Sequence, residues 1–404
     1  MSSGNDIHVK VETALLSAAA ASGDDGKGAA CLIPVSGEPL IALQIKQLVK
    51  AGIRKFLIEV DVVSGAIVAV ADQMKQRGID IEFIRSPADL GGKLGMGELL
   101  FVMADGVIAD DAVLAEMVQQ PSAYIVTLDG RKENERFERI DLNSFWGGLA
   151  LLDHRSISAI AALPDEWSID SSLLRQALQD KITHRPLNQQ LLDGKQLRLI
   201  TSVSEGAALT RELLAKKAHH GDGVIEAQFF GPLAAKIAPI FWKTPSAKIG
   251  LDGAGLLSAL GAIALGWTGY PGLSIALILI CCFLIKLRDL LQEEAKIDHV
   301  GALLGHGLWL LLALAVFAIS WAEDAMRPEA LFAPTIFILL SLYIKKATSS
   351  SWYKSIAASP ALLALLLLVM AIFDAWGFAI KLLILSQLSI LLLPEYFSSN
   401  KKQA

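Results

Sequence analysis

The stretch Leu32-Ile33-Pro34-Val35-Ser36-Gly37-Glu38-Pro39-Leu40-Ile41 is apolar but broken by two prolines and a Ser-Gly pair, and it runs into a helical pattern over Leu40–Ala51. Ala51-Gly52-Ile53-Arg54-Lys55 then leads into the next apolar run. Working outward, β-type runs at Ala30–Val35, Lys55–Val60, Ile79–Ile84, Glu98–Met103, Ser122–Leu128 and Gln196–Ile200 alternate with helical patterns. The helices are predicted at Leu40–Ala51, Val63–Arg77, Asp111–Gln119, Ile157–Leu163 and Ser171–Lys181. Such alternation predicts an α/β domain with a mostly parallel sheet, whose ligands bind at the carboxyl ends of the strands.

Upstream, the run from Ala14 to Ser22 could pass for the apolar core of a secretory signal. The residues before it carry Asp6 and Glu12 against Lys10, whereas a signal needs a positive start. It is read as the first buried strand.

Beyond Gly250 the composition changes. The chain is 404 residues long and 53% hydrophobic, with a mean hydropathy of +0.48, too apolar for an ordinary soluble protein. Apolar stretches near 249–269, 272–285, 300–321, 330–344, 359–375 and 377–393 predict an all-α domain of six transmembrane spans. Lys236, Lys243 and Lys248 precede the first; Lys286, Arg288 and Lys296 follow the second; Lys345, Lys346 and Lys354 follow the fourth; Lys401 and Lys402 close the chain. With six spans all four clusters share one side, so both termini are predicted to be cytoplasmic in an integral protein of the cell or inner membrane. Trp242, Trp267, Trp309, Trp321, Trp352 and Trp376 fall near span ends, as interface anchors do.

The formal charge of −5 and the absence of long charged runs exclude a nucleic-acid footprint. Three cysteines, Cys31 and the adjacent Cys281 and Cys282, do not make a disulfide framework.

Over about residues 13–215 the sequence resembles the sugar-phosphate nucleotidyltransferases of GT-A type, whose "PV-x-G-x-P-L" turn enters a helix ending in "AGI". Phe101-Val102-Met103-Ala104-Asp105-Gly106 resembles the strand bearing that family's magnesium-binding aspartate, which implies Mg2+ at Asp105. Nucleotidyl transfer needs a metal bridging phosphates and a cradle for the triphosphate. The family's "G-x-G-x-R" loop is replaced by Ser17-Ala18-Ala19-Ala20-Ala21, and the following Gly23, Gly26 and Gly28 are interleaved with Asp24 and Asp25, which repel phosphate. The usual lysine before "PV" is Ala30, and the second metal carboxylate is replaced by Thr201 or Ser202. A second cluster, Gly91-Gly92-Lys93-Leu94-Gly95-Met96-Gly97, could approach a nucleotide or sugar but lacks the Lys-Ser/Thr ending of a phosphate loop. Candidate nucleotide-binding positions are therefore Gly91, Gly92, Lys93, Gly95 and the turn residue Gly37.

From about 216 to 395 the chain resembles the CDP-alcohol phosphotransferases, on the strength of Lys216 to Val224, Pro232 and Lys243-Thr244-Pro245. The resemblance implies six spans, an interfacial amphipathic helix, and a homodimer. It divides the chain into a nucleotidyltransferase-like cytoplasmic domain (1–215), an interfacial linker (216–248), the membrane domain (249–395) and a tail (396–404). That family's four catalytic aspartates do not survive: aligning its later glycine on Gly301 puts Leu284, Leu287, Gly305 and Trp309 in their places. Leucine and tryptophan cannot hold a divalent cation, so phosphotransfer is predicted to be absent. Asp289, Glu293, Glu294, Asp298, His299 and His306 are read as a solvated charged joint.

Three functions follow. The first is a pseudoenzyme of phospholipid or inositol-phosphate head-group metabolism that acts by binding lipid, nucleotide or a CDP-linked head group. The second is an active, membrane-anchored nucleotidyltransferase. The third is a six-span transporter or flippase-like protein.

Overall fold

The computed structural model describes residues 10–18, 30–164, 167, 169–187, 196–219, 223–242, 247–291, 311–312, 314–320, 335–336, 339–340, 359–373, 378, 380–385 and 387–388. The chain divides into two compact units, Met1–Thr210 and Arg211–Ala404.

In the first unit the strands are β1 (Lys10–Ser17), β2 (Pro34–Val35), β3 (Glu38–Pro39), β4 (Lys55–Glu59), β5 (Asp80–Ile84), β6 (Glu98–Met103), β7 (Val107–Ala109), β8 (Tyr124–Asp129), β9 (Ser144–Asp153), β10 (Thr183–Pro186) and β11 (Leu197–Leu199). The helices are α1 (Leu40–Ala51), α2 (Gly65–Lys75), α3 (Asp111–Val118), α4 (His154–Ile160) and α5 (Ile169–Gln179). Seven strands form one sheet in the order β10-β8-β9-β6-β1-β4-β5. β9 runs antiparallel to both its neighbours and the other pairings are parallel. The mostly parallel α/β sheet is the architecture that the alternation of apolar runs and helical patterns predicts.

Both faces are covered over the central strands, so β4, β6 and β8 are apolar over most of their length, while the edge strands β5 and β10 carry polar residues. Ala14 and Leu16 of β1 point into a core with Ile41 and Ile45 of α1 and Val70 and Met74 of α2. Leu15, between them, joins the opposite core with Leu173 and Leu174 of α5. α1 stops at Gly52, whose φ of 112° is left-handed, and the amide of Ile53 returns to Leu48 O at 3.0 Å. The "AGI" run is thus a helix stop followed by the entry to β4.

Two expectations are corrected. Ala30–Val35 is a 3-10 turn, Ala30–Leu32, followed by a two-residue strand, not a central strand. Pro34 pairs with Pro39 and Val35 with Glu38, and the connecting Ser36 (φ 53°) and Gly37 (φ 84°) make the tight turn of a small hairpin. The strand β9 was not anticipated. Its Gly147-Gly148 pair interrupts the β pattern, and Gly148, at φ 74°, lies where a Cβ would come within 2.4 Å of Val107 Cγ2.

The second unit is helical, with helices Gly231–Phe241, Ala247–Trp267, Pro271–Leu291 and Pro360–Ile372 among the described residues. A core of Ala259, Ala262, Ile275, Ile278, Cys281 and Cys282 packs on Leu312, Ala315, Val316 and Leu367. Arg288, 6% exposed, is ion-paired with Asp252 on the preceding helix. Six spans were expected. Among the described residues one helix, Ala247–Trp267, is long and apolar enough to cross a membrane; Pro271–Leu291 is as long but ends in Lys286, Arg288 and Asp289, and Pro360–Ile372 is shorter. The predicted spans 300–321 and 330–344 lie largely outside the described residues, 377–393 lies partly outside them, and the joint from Glu293 to His306 lies wholly outside them.

Candidate functional site

The chain lays β1, β4 and β5 to one side and then returns to place β6 on the other side of β1. That reversal makes the carboxyl ends of β1 and β6 the topological switch point, the place where doubly wound sheets bind ligands. The residues there are Ser17 and Ala18 of β1, Glu59 ending β4, and the turn Ala104-Asp105-Gly106 after β6.

Asp105 is held by backbone amides. Its Oδ2 accepts the Ala30 N–H at 3.1 Å, and the amides of Cys31 and Gly106 also act on it. Its Oδ1 is buried and has no hydrogen-bond partner among the described residues. Burial pushes its pKa up from 3.8 to about 6, against the opposing pull of the three amides and with a further push from the Glu59 charge. The neighbouring Cys31 thiol is pushed up to about 12 by burial and by Asp105, so it stays protonated and unreactive.

Two buried side chains missed in the sequence define the surroundings. Glu59, 4% exposed, accepts the Ser17 hydroxyl at 3.0 Å on Oε2 and the Ile169 amide at 3.0 Å on Oε1, at the start of α5. A carboxylate at a helix start is favoured by both the free N–H and the dipole. Gln44 of α1, fully buried, donates to Val107 O at 2.8 Å and Ala104 O at 3.4 Å, bracing the Asp105 turn from below. The available signals were an acid closing the apolar run Lys55–Val60 and an amide on the apolar face of α1.

Thr201 follows β11 closely, and the Ile200 amide donates to Gly106 O at 2.8 Å. The Thr201 hydroxyl accepts Arg136 Nη2 at 2.7 Å, and Arg136 is also paired with Glu205 at 2.8 Å. Glu205 accepts the Thr201 amide at 2.8 Å. Of the two positions where the resemblance implies a second metal carboxylate, Thr201 is a hydroxyl bonded to a guanidinium and Ser202 a hydroxyl 3.0 Å from that of Ser204. Among the described residues no three His, Cys, Asp or Glu side chains converge. Asp105 offers one open oxygen while both Glu59 oxygens are engaged, so these residues do not fit a magnesium held by several protein carboxylates.

The glycine cluster is pinned from within. Leu94, 5% exposed, is part of the α5-side core, the Lys93 ammonium is paired with Glu82, and the Gly95 amide donates to Glu98 Oε2 at 2.8 Å. Gly92 (φ 71°) and Gly97 (φ 86°) serve the turn geometry, and a Cβ on Gly91 would meet Ala88 O at 3.1 Å. Gly37 lies in the hairpin turn. The structure brings none of Gly91, Gly92, Lys93, Gly95 and Gly37 into a hydrogen bond with Asp105 among the described residues.

No family model matches the chain, and no curated protein matches it. Among solved structures, the CTP:phosphocholine cytidylyltransferase of Streptococcus pneumoniae is similar at 13% identity with a TM-score of 0.33, covering 51% of this chain and 100% of that one.

Proposed function

We propose that this chain is a membrane-attached binding protein whose nucleotidyltransferase-like unit recognises a nucleotide or nucleotide-linked head group without transferring it. The observation that carries the reading is the Thr201 hydroxyl, bonded to Arg136 at 2.7 Å where turnover would need a second carboxylate. A single aspartate cannot hold the metal against two bridging phosphates as a carboxylate pair can. The test is to incubate the full chain with nucleoside triphosphates, magnesium or manganese, and a panel of sugar and polyol phosphates. No pyrophosphate release is expected; steady release that disappears in Asp105→Ala would establish an active nucleotidyltransferase instead. The open Oδ1 of Asp105 is the one feature that favours that second reading.

For the helical unit the reading is a bilayer-embedded domain with cytoplasmic termini. Ile249, Leu256, Leu257, Leu260 and Trp267 are all more than half exposed along one face of the helix Ala247–Trp267, opposite buried Leu251, Gly255, Ala259, Ala262 and Gly266. An exposed apolar face of that length is costly in water and favourable in hydrocarbon. Extraction of cell membranes at alkaline pH tests it: the chain stays in the pellet, and full release into the supernatant would refute the embedding. Phosphotransfer is not expected there, since Leu287 and Arg288 are buried and Arg288 is committed to Asp252. CMP release from CDP-alcohols would overturn that.

A further inference from the structure

Two separate routes fasten the Asp105 turn to the start of the helix Val203–His219. On one route, Asp105 Oδ2 holds the Ala30 amide at 3.1 Å, and the 3-10 turn that begins there closes with Ile33 N–H donating to Ala30 O at 3.0 Å. The hairpin β2–β3 continues from it and donates the Ser36 amide to Thr210 Oγ1 at 2.8 Å. The packing there is tight enough that a Cβ on Gly206 would come within 2.5 Å of Ile33 Cγ2 and 3.0 Å of Pro34 O. On the other route, Gly106 O accepts the Ile200 amide at 2.8 Å, and Thr201 then binds Glu205 through its amide at 2.8 Å. Gly106 has no room to give way, because a Cβ on it would lie 2.5 Å from Ile200 O.

We propose that the Asp105 turn, the Ala30–Pro39 segment and residues 203–210 open and close as one cooperative piece, so that whatever engages the Asp105 carboxyl sets how firmly the start of that helix is held. The Ala30 and Ser36 links are single, part-buried hydrogen bonds beside close-packed Gly106 and Gly206, so losing one strands a donor in a tight surrounding, whereas the Thr201–Glu205 link lies at the surface and contributes less. Links of that kind are lost together, as a local unfolding unit. Asp105 is placed at the input end because one oxygen is committed to the Ala30 amide and the other, buried, has no hydrogen bond among the described residues and would gain from a donor or cation. The coupling goes beyond the binding function proposed above and stands whether or not the ligand is a nucleotide.

Hydrogen exchange followed by mass spectrometry on the full chain tests it. In Asp105→Ala, exchange at Ser36 and across 203–210 is expected to rise about tenfold, the change that one lost hydrogen bond of ordinary strength implies, while α2 is unchanged. Faster exchange confined to 30–32 and 104–107 would overturn the proposal. Should that variant fail to fold, Thr210→Val removes the acceptor at the opposite end with little change of shape. Its effect must then reach back to Ala30 and Cys31, and an effect limited to Ser36 and the helix itself would overturn the proposal equally.

Discussion

The ends of β4 and β6 flank β1 at the switch point and each carries an acid, Glu59 buried and Asp105 half-buried, but the two are satisfied differently. Glu59 has a hydroxyl on one oxygen and a helix-start amide on the other. Asp105 has the Ala30 amide on one oxygen and no hydrogen bond among the described residues on the other. A buried carboxylate saturated by donors is a fastening, whereas one with an oxygen left over is where an incoming group can add an interaction. The contrast makes Glu59 part of the architecture and leaves Asp105 as the candidate for a site.

The largest effect that would sharpen this contrast is expected from Glu59→Ala. It strands the Ser17 hydroxyl and the Ile169 amide in the core, and bonds to a charged acceptor are the stronger kind, so a loss of about 4 kcal/mol is expected. Denaturant titration measures it; a loss below about 1 kcal/mol would mean that Glu59 is not a fastening. Next comes Gly106→Ala, which puts a Cβ at φ 75° and 2.5 Å from Ile200 O, at a cost of about 3 kcal/mol by the same measurement.

The pH dependence of Asp105 follows in size. Its pKa is about 6 in the folded chain against an ordinary 3.8, so the native state holds the proton more tightly. Its contribution to stability is therefore full below about pH 3.8 and is lost as the pH rises through about 6, a swing of up to about 3 kcal/mol. Stability of the native chain and of Asp105→Asn, compared from pH 4 to 7, should diverge by that amount; parallel curves would show that Asp105 is not desolvated. The smallest effect is expected from Lys93→Ala. Its partner Glu82 is partly exposed, so about 0.5 kcal/mol is at stake, and nucleotide affinity in a binding titration should stay within about twofold. A tenfold loss of affinity would return the glycine cluster to the site.

Much of the first unit was legible because central strands covered on both faces need continuous apolar runs, as in Lys55–Val60 and Glu98–Met103, while the edge strand at Ile79–Ile84 shows alternation. Asp105 was legible for a related reason, since a polar residue and a glycine closing an apolar strand must sit at its exposed end. Ala30–Val35 misled because its apolar residues bury themselves from a turn, and hydrophobicity alone does not distinguish a turn from a strand. β9 escaped because its glycines are demanded by the close approach of Val107, a neighbour supplied by tertiary packing.

By itself the sequence determined most of the order of strands and helices in the first unit and the helical character of the second. These depend on residue type and spacing along one chain. Only the tertiary structure decided which acids are satisfied, that Lys93 faces Glu82, that Arg136 reaches Thr201, and that a buried glutamine braces the Asp105 turn. A hydrogen bond between residues far apart in sequence depends on distances of a few ångströms, and those are set only when the sheet and its covering helices have packed.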